Sequence, residues 1–168
     1  HIISVKNDVK ELLWIIDWRE KNSKVIKMYN YEEEKKYSFS KYDKDQSYSD
    51  IKIEDCREYI YEFNSSIMKS GLYDNIAVKY KLEKLENNTN LYTSKIKINS
   101  FPGKVYRIKN VETINFKKLR RKYKSEFINL ISKNFKLSPL QIQNKLKCKI
   151  GGDTNFLIFT KTIEGYKV

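Results

Sequence analysis

The 168 residues give room for one ordinary domain or two small ones, and enough chain to bury a hydrophobic core. With 40% hydrophobic, 14% aromatic and 33% charged residues the chain is globular rather than disordered, and its net charge of +13 asks for an acidic partner. No apolar stretch approaches spanning length, which excludes a transmembrane helix.

The chain begins within a strand pattern, Ile2 to Val5, as a piece of a longer protein would. Asn7-Asp8 is a turn signal, so Ile2–Val5 and Val9–Ile16 are expected to pair as a hairpin. Leu12 to Ile16 is apolar at every position, the pattern of a strand covered on both faces. Trp14 and Trp18 accordingly read as core or interface residues rather than as part of a cofactor site. Val25–Tyr29 and Tyr37–Phe39 suggest two short strands joined by a charged turn, Glu32 to Lys36, and residues 40–52 an exposed loop.

Glu58–Phe63 suits another strand. Asn64 is the expected N-cap of a helix over Ser65–Ser70, with Gly71 as its stop, and a second helix is expected over Asp74–Lys81. Residues 87–90 read as a loop. Pro102-Gly103 turns the chain into a strand over Lys104–Thr113, followed by a short basic helix, Phe116–Tyr123, and a strand, Phe127–Ser132. Ser138, Pro139 and Gln141 form a capping-box signature for the next helix, with Leu137 and Ile142 at the staple positions. Gly151-Gly152-Asp153 turns into a buried strand, Phe156–Phe159, and Glu164-Gly165 into Tyr166–Val168.

The charge is not spread evenly. Residues 1–94 carry 16 basic and 17 acidic side chains, whereas residues 95–150 carry 16 basic side chains against Glu112 and Glu126 alone. Codon bias toward lysine would have raised all segments alike. The excess therefore marks one surface. Lys117, Lys118, Arg120, Arg121 and Lys122 surround Phe116 and Leu119, which face inward at helical spacing, and Lys104, Arg107 and Lys109 lie on the preceding strand with Tyr106 between them. Such a patch neutralises phosphates, and its aromatics can stack on unpaired bases, so Lys104, Arg107, Lys117, Lys118, Arg120, Arg121 and Lys122 are the expected nucleic-acid contacts. Singly, each cation is more simply a solubilising side chain.

No autonomous active site is legible. Five glycines in scattered places cannot compose a phosphate loop or a dinucleotide fingerprint, and the lone His1 removes histidine triads and histidine-rich metal sites. The carboxylates of Glu32 to Glu34 and of Glu54, Asp55 and Glu58 read as solvated surface. Catalytic, cofactor-binding and metal residues are all expected to be absent. Cys56 and Cys148 are too far apart for a redox or zinc motif, and no secretory signal opens the chain, so a cytoplasmic setting is expected.

Several segments carry a family resemblance. Phe135-Lys136-Leu137-Ser138-Pro139, Lys145-Leu146-Lys147, Gly151-Gly152-Asp153 and Thr160-Lys161 resemble the THUMP-like domain that ends a family of class I S-adenosylmethionine-dependent methyltransferases. Tyr61-Glu62-Phe63-Asn64, Ile67 to Gly71, Leu91 to Ser94 and Phe101 to Val105 are similar to the same bacterial proteins, and His1 to Val5 with Lys10 to Leu13 resemble the end of their catalytic domain. The resemblance implies an α+β fold: terminal antiparallel strands of a methyltransferase sheet followed by a small basic α+β THUMP-like domain. It implies S-adenosylmethionine as the cofactor of the parent protein, bound upstream of this chain, with the upstream core and RNA as partners. The expected division is 1–45 for the terminal strands and hairpin, 46–90 for a loop and helical connector, and 91–168 for the basic domain. A stand-alone nucleic-acid-binding module is the alternative. A small nuclease or toxin would need a catalytic cluster that the residues do not supply.

Overall fold

The computed structural model describes residues 1–16, 25–32, 38–43, 51–152 and 154–168. Trp18, Asp153 and most of the charged turn after Glu32 lie outside the described residues. Among the described residues the chain is a mixed α+β fold built on three four-stranded sheets. None of its described helices is long and apolar enough to cross a membrane.

The first sheet holds β1 (Ile2–Val5), β2 (Asp8–Leu12), β3 (Val25–Tyr31) and β4 (Ser38–Asp43) in the order β2-β1-β3-β4. The expected hairpin forms, with Lys6 and Asn7 both at positive φ, the backbone that matches strand twist in a tight turn. β1 pairs in parallel with β3 on its other edge. β4 overlaps the start of the segment expected to be a loop, because β3 offers it an antiparallel partner. The buried strand expected over Leu12–Ile16 does not form. Leu13 still exchanges backbone hydrogen bonds with His1, but no described residue pairs beyond that point. Trp14 is 90% exposed, so it is not a core residue.

β5 (Tyr59–Phe63), α1 (Ser65–Ser70), α2 (Tyr73–Lys79), β6 (Glu83–Glu86), β7 (Thr89–Ser94) and β8 (Gly103–Arg107) form the second unit. Asn64 caps α1 by accepting a hydrogen bond from the Ile67 amide, and Gly71 ends it in the left-handed conformation. The sheet order is β6-β7-β5-β8, antiparallel throughout. Residues 87–90, read as a loop, instead supply a tight turn and the start of β7. The strand expected over Lys104–Thr113 ends at Arg107, because its partner β5 begins at Tyr59.

The third unit comprises α3 (Phe116–Tyr123), β9 (Phe127–Lys133), α4 (Pro139–Leu146), β10 (Lys149–Ile150), β11 (Phe156–Thr162) and β12 (Gly165–Lys167). Its order is β10-β9-β11-β12, with β9 parallel to both neighbours and β12 antiparallel. The capping box on α4 forms as expected, Ser138 and Gln141 bonding reciprocally. Phe156 is exposed at the start of β11, while Phe159 is fully buried.

Strand alternation gives the second sheet two apolar faces. Tyr61, Phe63 and Tyr92 pack on Ile67, Ile76 and Ala77 of the helices, in a core that also takes Ile2 and Met28 from the first sheet. Ile60, Leu85 and Leu91 face the third sheet and meet Ile158. The third unit has its own core of Leu119, Ile142, Leu146, Cys148 and Phe159. Polar ties lock the second and third units together: Thr89 donates to the Lys161 carbonyl at 3.0 Å, and Lys133 pairs with Glu62 at 2.6 Å.

Candidate nucleic-acid interface

A helix with five cations in eight residues needs a reason to form. Asn115 accepts from the Lys118 amide at 3.0 Å and caps the first turn of α3. Leu119 is buried, and Phe116 stacks on Phe159 with centroids 6.0 Å apart, so the apolar side is anchored in the core. Arg120, Arg121 and Lys122 fall in the last turn, where the helix dipole favours positive charge. The helix therefore presents its cations to solvent at little local cost.

Helical spacing divides these cations into two groups. Lys118 and Lys122 lie one turn apart, and both reach Glu112, at 2.6 and 3.2 Å. These two hydrogen-bonded ammonium groups hold the Glu112 carboxyl below its ordinary value of 4.5. Lys117, Arg120, Arg121 and Lys124 are exposed and make no ion pair among the described residues. They are the cations available to an external anion.

α3 packs against α4, and this adds residues that sequence reasoning left out of the site. The Lys145 ammonium lies 5.5 Å from the Phe116 ring centroid. The Lys147 carbonyl accepts from the Ser125 amide, and Lys149 places its ammonium 5.2 Å from the ring of Phe127, itself 57% exposed. Their place in the strongly basic residues 95–150 was the available signal. What could not be read was that α4 returns along α3.

The expected contacts do not all come together. Lys117, Lys118, Arg120, Arg121 and Lys122 share α3, but Lys118 and Lys122 share one internal partner, the Glu112 carboxylate. Lys104 lies on β8 in the second sheet, opposite Glu62, and is not on the α3–α4 face. Arg107, at the far end of β8, lines a cavity of about 520 Å³ whose wall also includes Leu119 and Tyr123 of α3. Cys56 lines the same cavity, and burial pushes its thiol up to about 11, which leaves it neutral and unreactive.

The acidic groups have structural employment. Arg57 bonds Glu83 at 2.6 Å and Glu54 at 2.8 Å, with Lys52 beside both carboxylates, so Glu54 is an ion-pair partner rather than simply a solvated charge. No group of three or more His, Cys, Asp or Glu side chains among the described residues is placed to hold a metal ion. The glycines make no cradle for a nucleotide cofactor either. Gly71 ends a helix, Gly103 lies in a paired strand, Gly151 and Gly152 turn beside Phe127, and Gly165 begins β12.

Residues 59–102 match a ferredoxin-like domain family and residues 103–167 match the THUMP domain-like family. None of the curated proteins matches the chain. The fold is similar to a crystal structure from Porphyromonas gingivalis W83 named a "putative methyltransferase", with a TM-score of 0.83 and 24% sequence identity. That match covers 99% of this chain but 43% of the other, so the chain spans less than half the length of that protein. The β6-β7-β5-β8 sheet takes its last strand from beyond residue 102, which joins the two matched regions through one sheet. Residues 103–167 carry a THUMP-like domain, built as one body with the ferredoxin-like region before it.

Proposed function

We propose that this chain is the substrate-docking part of an S-adenosylmethionine-dependent methyltransferase and that its THUMP-like domain holds RNA beside a catalytic core formed elsewhere in the protein. One observation carries the reading: Lys117, Arg120 and Arg121 of α3 and Lys124 at its C-cap are exposed without ion pairs among the described residues, flanked by Lys145, Lys147 and Lys149. A cluster of exposed, unpaired cations with an exposed aromatic ring among them suits a phosphate backbone with unstacked bases. The described residues do not fit S-adenosylmethionine, since none of the glycine positions forms a cofactor loop. The cofactor is assigned to the upstream core, and no chemical step is assigned to this chain.

The cation cluster has a direct test. Binding of the chain to structured and to single-stranded RNA is followed by fluorescence anisotropy over a series of salt concentrations. The expected result is a log–log salt slope of several units that shrinks by about 1.4 in the Arg120→Glu, Arg121→Glu double variant on single strands. Absent or salt-insensitive binding would overturn the reading.

A further inference from the structure

The cation cluster adjoins an aromatic ring that the fold leaves bare. Phe127 opens β9 and is 57% exposed. Strand alternation puts it on the face of the third sheet that also carries Asn129, Ile131 and Lys133. Phe156 stands opposite Asn129 on β11, and Ile158 opposite Ile131, so both share that face. Its far end covers the second sheet: Ile158 packs on Ile60, Leu85 and Leu91, and Lys133 reaches Glu62. The near end overhangs. Phe156 meets Tyr106 at the margin, with ring centroids 5.1 Å apart, yet is 42% exposed, and Phe127 lies further out still.

The bareness of Phe127 is written into its neighbours. β10 sets Lys149 opposite Phe127, which places the Lys149 ammonium 5.2 Å from the ring centroid. The chain then continues through Gly151 and Gly152, at φ of +127° and +89°. A Cβ on Gly151 would lie 3.9 Å from the Phe127 Cδ1, and one on Gly152 3.4 Å from the Phe127 Cβ. Most other residues would lay a side chain against the phenyl group there; the two glycines lay none. Two backbone bonds bring the cations to the same place. The Ser125 amide donates to the Lys147 carbonyl and the Lys149 amide to the Glu126 carbonyl, so Lys124, Lys147 and Lys149 gather at the entry to β9.

A bare ring among cations selects its partner by charge. A protein surface that covered Phe127 would have to desolvate Lys149, and lysine is depleted at the cores of protein interfaces. A duplex offers phosphates but keeps its bases stacked on one another. An unpaired strand offers both a π-face for the ring and phosphates for the ammonium groups. We propose that Phe127, with Lys149 beside it, is a stacking platform for an unpaired base of the docked RNA, and that Phe156 takes a second base on the same face. The inference rests on the RNA-docking reading and narrows its substrate class to single-stranded or looped RNA.

The test measures fluorescence anisotropy of three probes with the full chain: a short mixed-sequence single-stranded RNA, an abasic strand of the same length, and a fully paired duplex. Phe127→Leu keeps apolar bulk but removes the π-face. It should weaken the single strand about tenfold, the size of a lost base–aromatic stack, and leave the abasic strand and the duplex unchanged. Phe127→Ala should do the same without lowering the melting temperature, because it keeps the Cβ beside Gly152, and Phe127→Trp should preserve binding. Phe156→Ala should cost less on the single strand, since Tyr106 already occupies part of its ring. Lys149→Gln should instead weaken the intact and abasic strands alike. An equal loss on all three probes, or no loss on the single strand, would overturn the platform while leaving the docking reading intact. Failure of the parent chain to bind any of the three would overturn both.

Discussion

The Glu112 carboxylate lies 2.6 Å from the Lys118 ammonium and takes Lys122 at 3.2 Å from one turn further along α3. One acidic residue thus engages two cations of the helix and cancels one of their two charges. Glu112→Gln should free both. Affinity for single-stranded RNA should rise, and the salt slope should steepen by about 0.7 for each additional phosphate neutralised. An anisotropy titration at several salt concentrations reads both quantities. An unchanged slope would mean that these lysines do not approach RNA even when released.

Acid should weaken the fold through the same class of group. The Glu112 and Glu86 carboxyls are both held below their ordinary value of 4.5. Lys118 and then Lys122 hold Glu112 there. Glu86 accepts from the Asn88 amide and, after that, from Lys161 across the interface between the second and third units. A carboxyl depressed by folding stabilises the native state at pH above its unfolded value and loses that contribution as pH falls through the folded one. The melting temperature should therefore stay level on this account between pH 7 and about 5 and fall below about pH 4.5. Glu86→Gln should lower the plateau and flatten the fall, as scanning calorimetry across that range would show.

What could be read in advance was what neighbouring residues decide. Asn64 with Gly71, and Ser138 with Pro139 and Gln141, announce helix ends because a cap and its amides lie within four residues. The basic face of α3 was equally legible, since Phe116 and Leu119 fix which side turns inward. The β6–β7 hairpin was not. Glu83-Lys84-Leu85-Glu86 resembles a surface segment, yet Lys84 is buried, its ammonium 2.8 Å from Asp74 of α2. Leu12 to Ile16 misled in the opposite direction, because an apolar run specifies a need for cover and not the presence of a partner. The cavity was beyond reach altogether. Tyr106 and Thr160 belong to different sheets, and only the packing of those sheets brings both residues to one wall.

Gly103 has a steric role that its φ does not reveal. A Cβ there would collide with the Glu62 carbonyl oxygen and sit 2.8 Å from the Phe63 Cα, both on the paired strand β5. Backbone cannot give way cheaply, so Gly103→Ala should push β8 off the sheet and cost about 3 kcal/mol. Gly71 is the control. Its φ of +72° disfavours any Cβ, but nothing lies within 4 Å, and Gly71→Ala should cost only about 1 kcal/mol. Urea denaturation of the pair separates steric exclusion from conformational preference. Equal losses would refute the distinction.

Trp14 tests how the chain is joined to a larger enzyme. It is 90% exposed, with Ile15 at 72% and Ile16 at 69%, an apolar run that no described residue covers. In the chain alone, Trp14→Ser and Ile16→Ser change side chains exposed among the described residues and should alter stability by no more than about 0.5 kcal/mol. In the longer methyltransferase proposed here, burying this run against the catalytic core would recover the hydrophobic free energy that the chain alone forgoes. The variants should then split one calorimetric transition of the full-length enzyme into two, the later or earlier of which matches the isolated chain. A single transition in both parent and variant, at an unchanged temperature, would place the contact with the catalytic core elsewhere. Trp14 fluorescence in a Trp18→Phe background gives an independent reading, because an indole that becomes covered shifts its emission to the blue and one left in water does not.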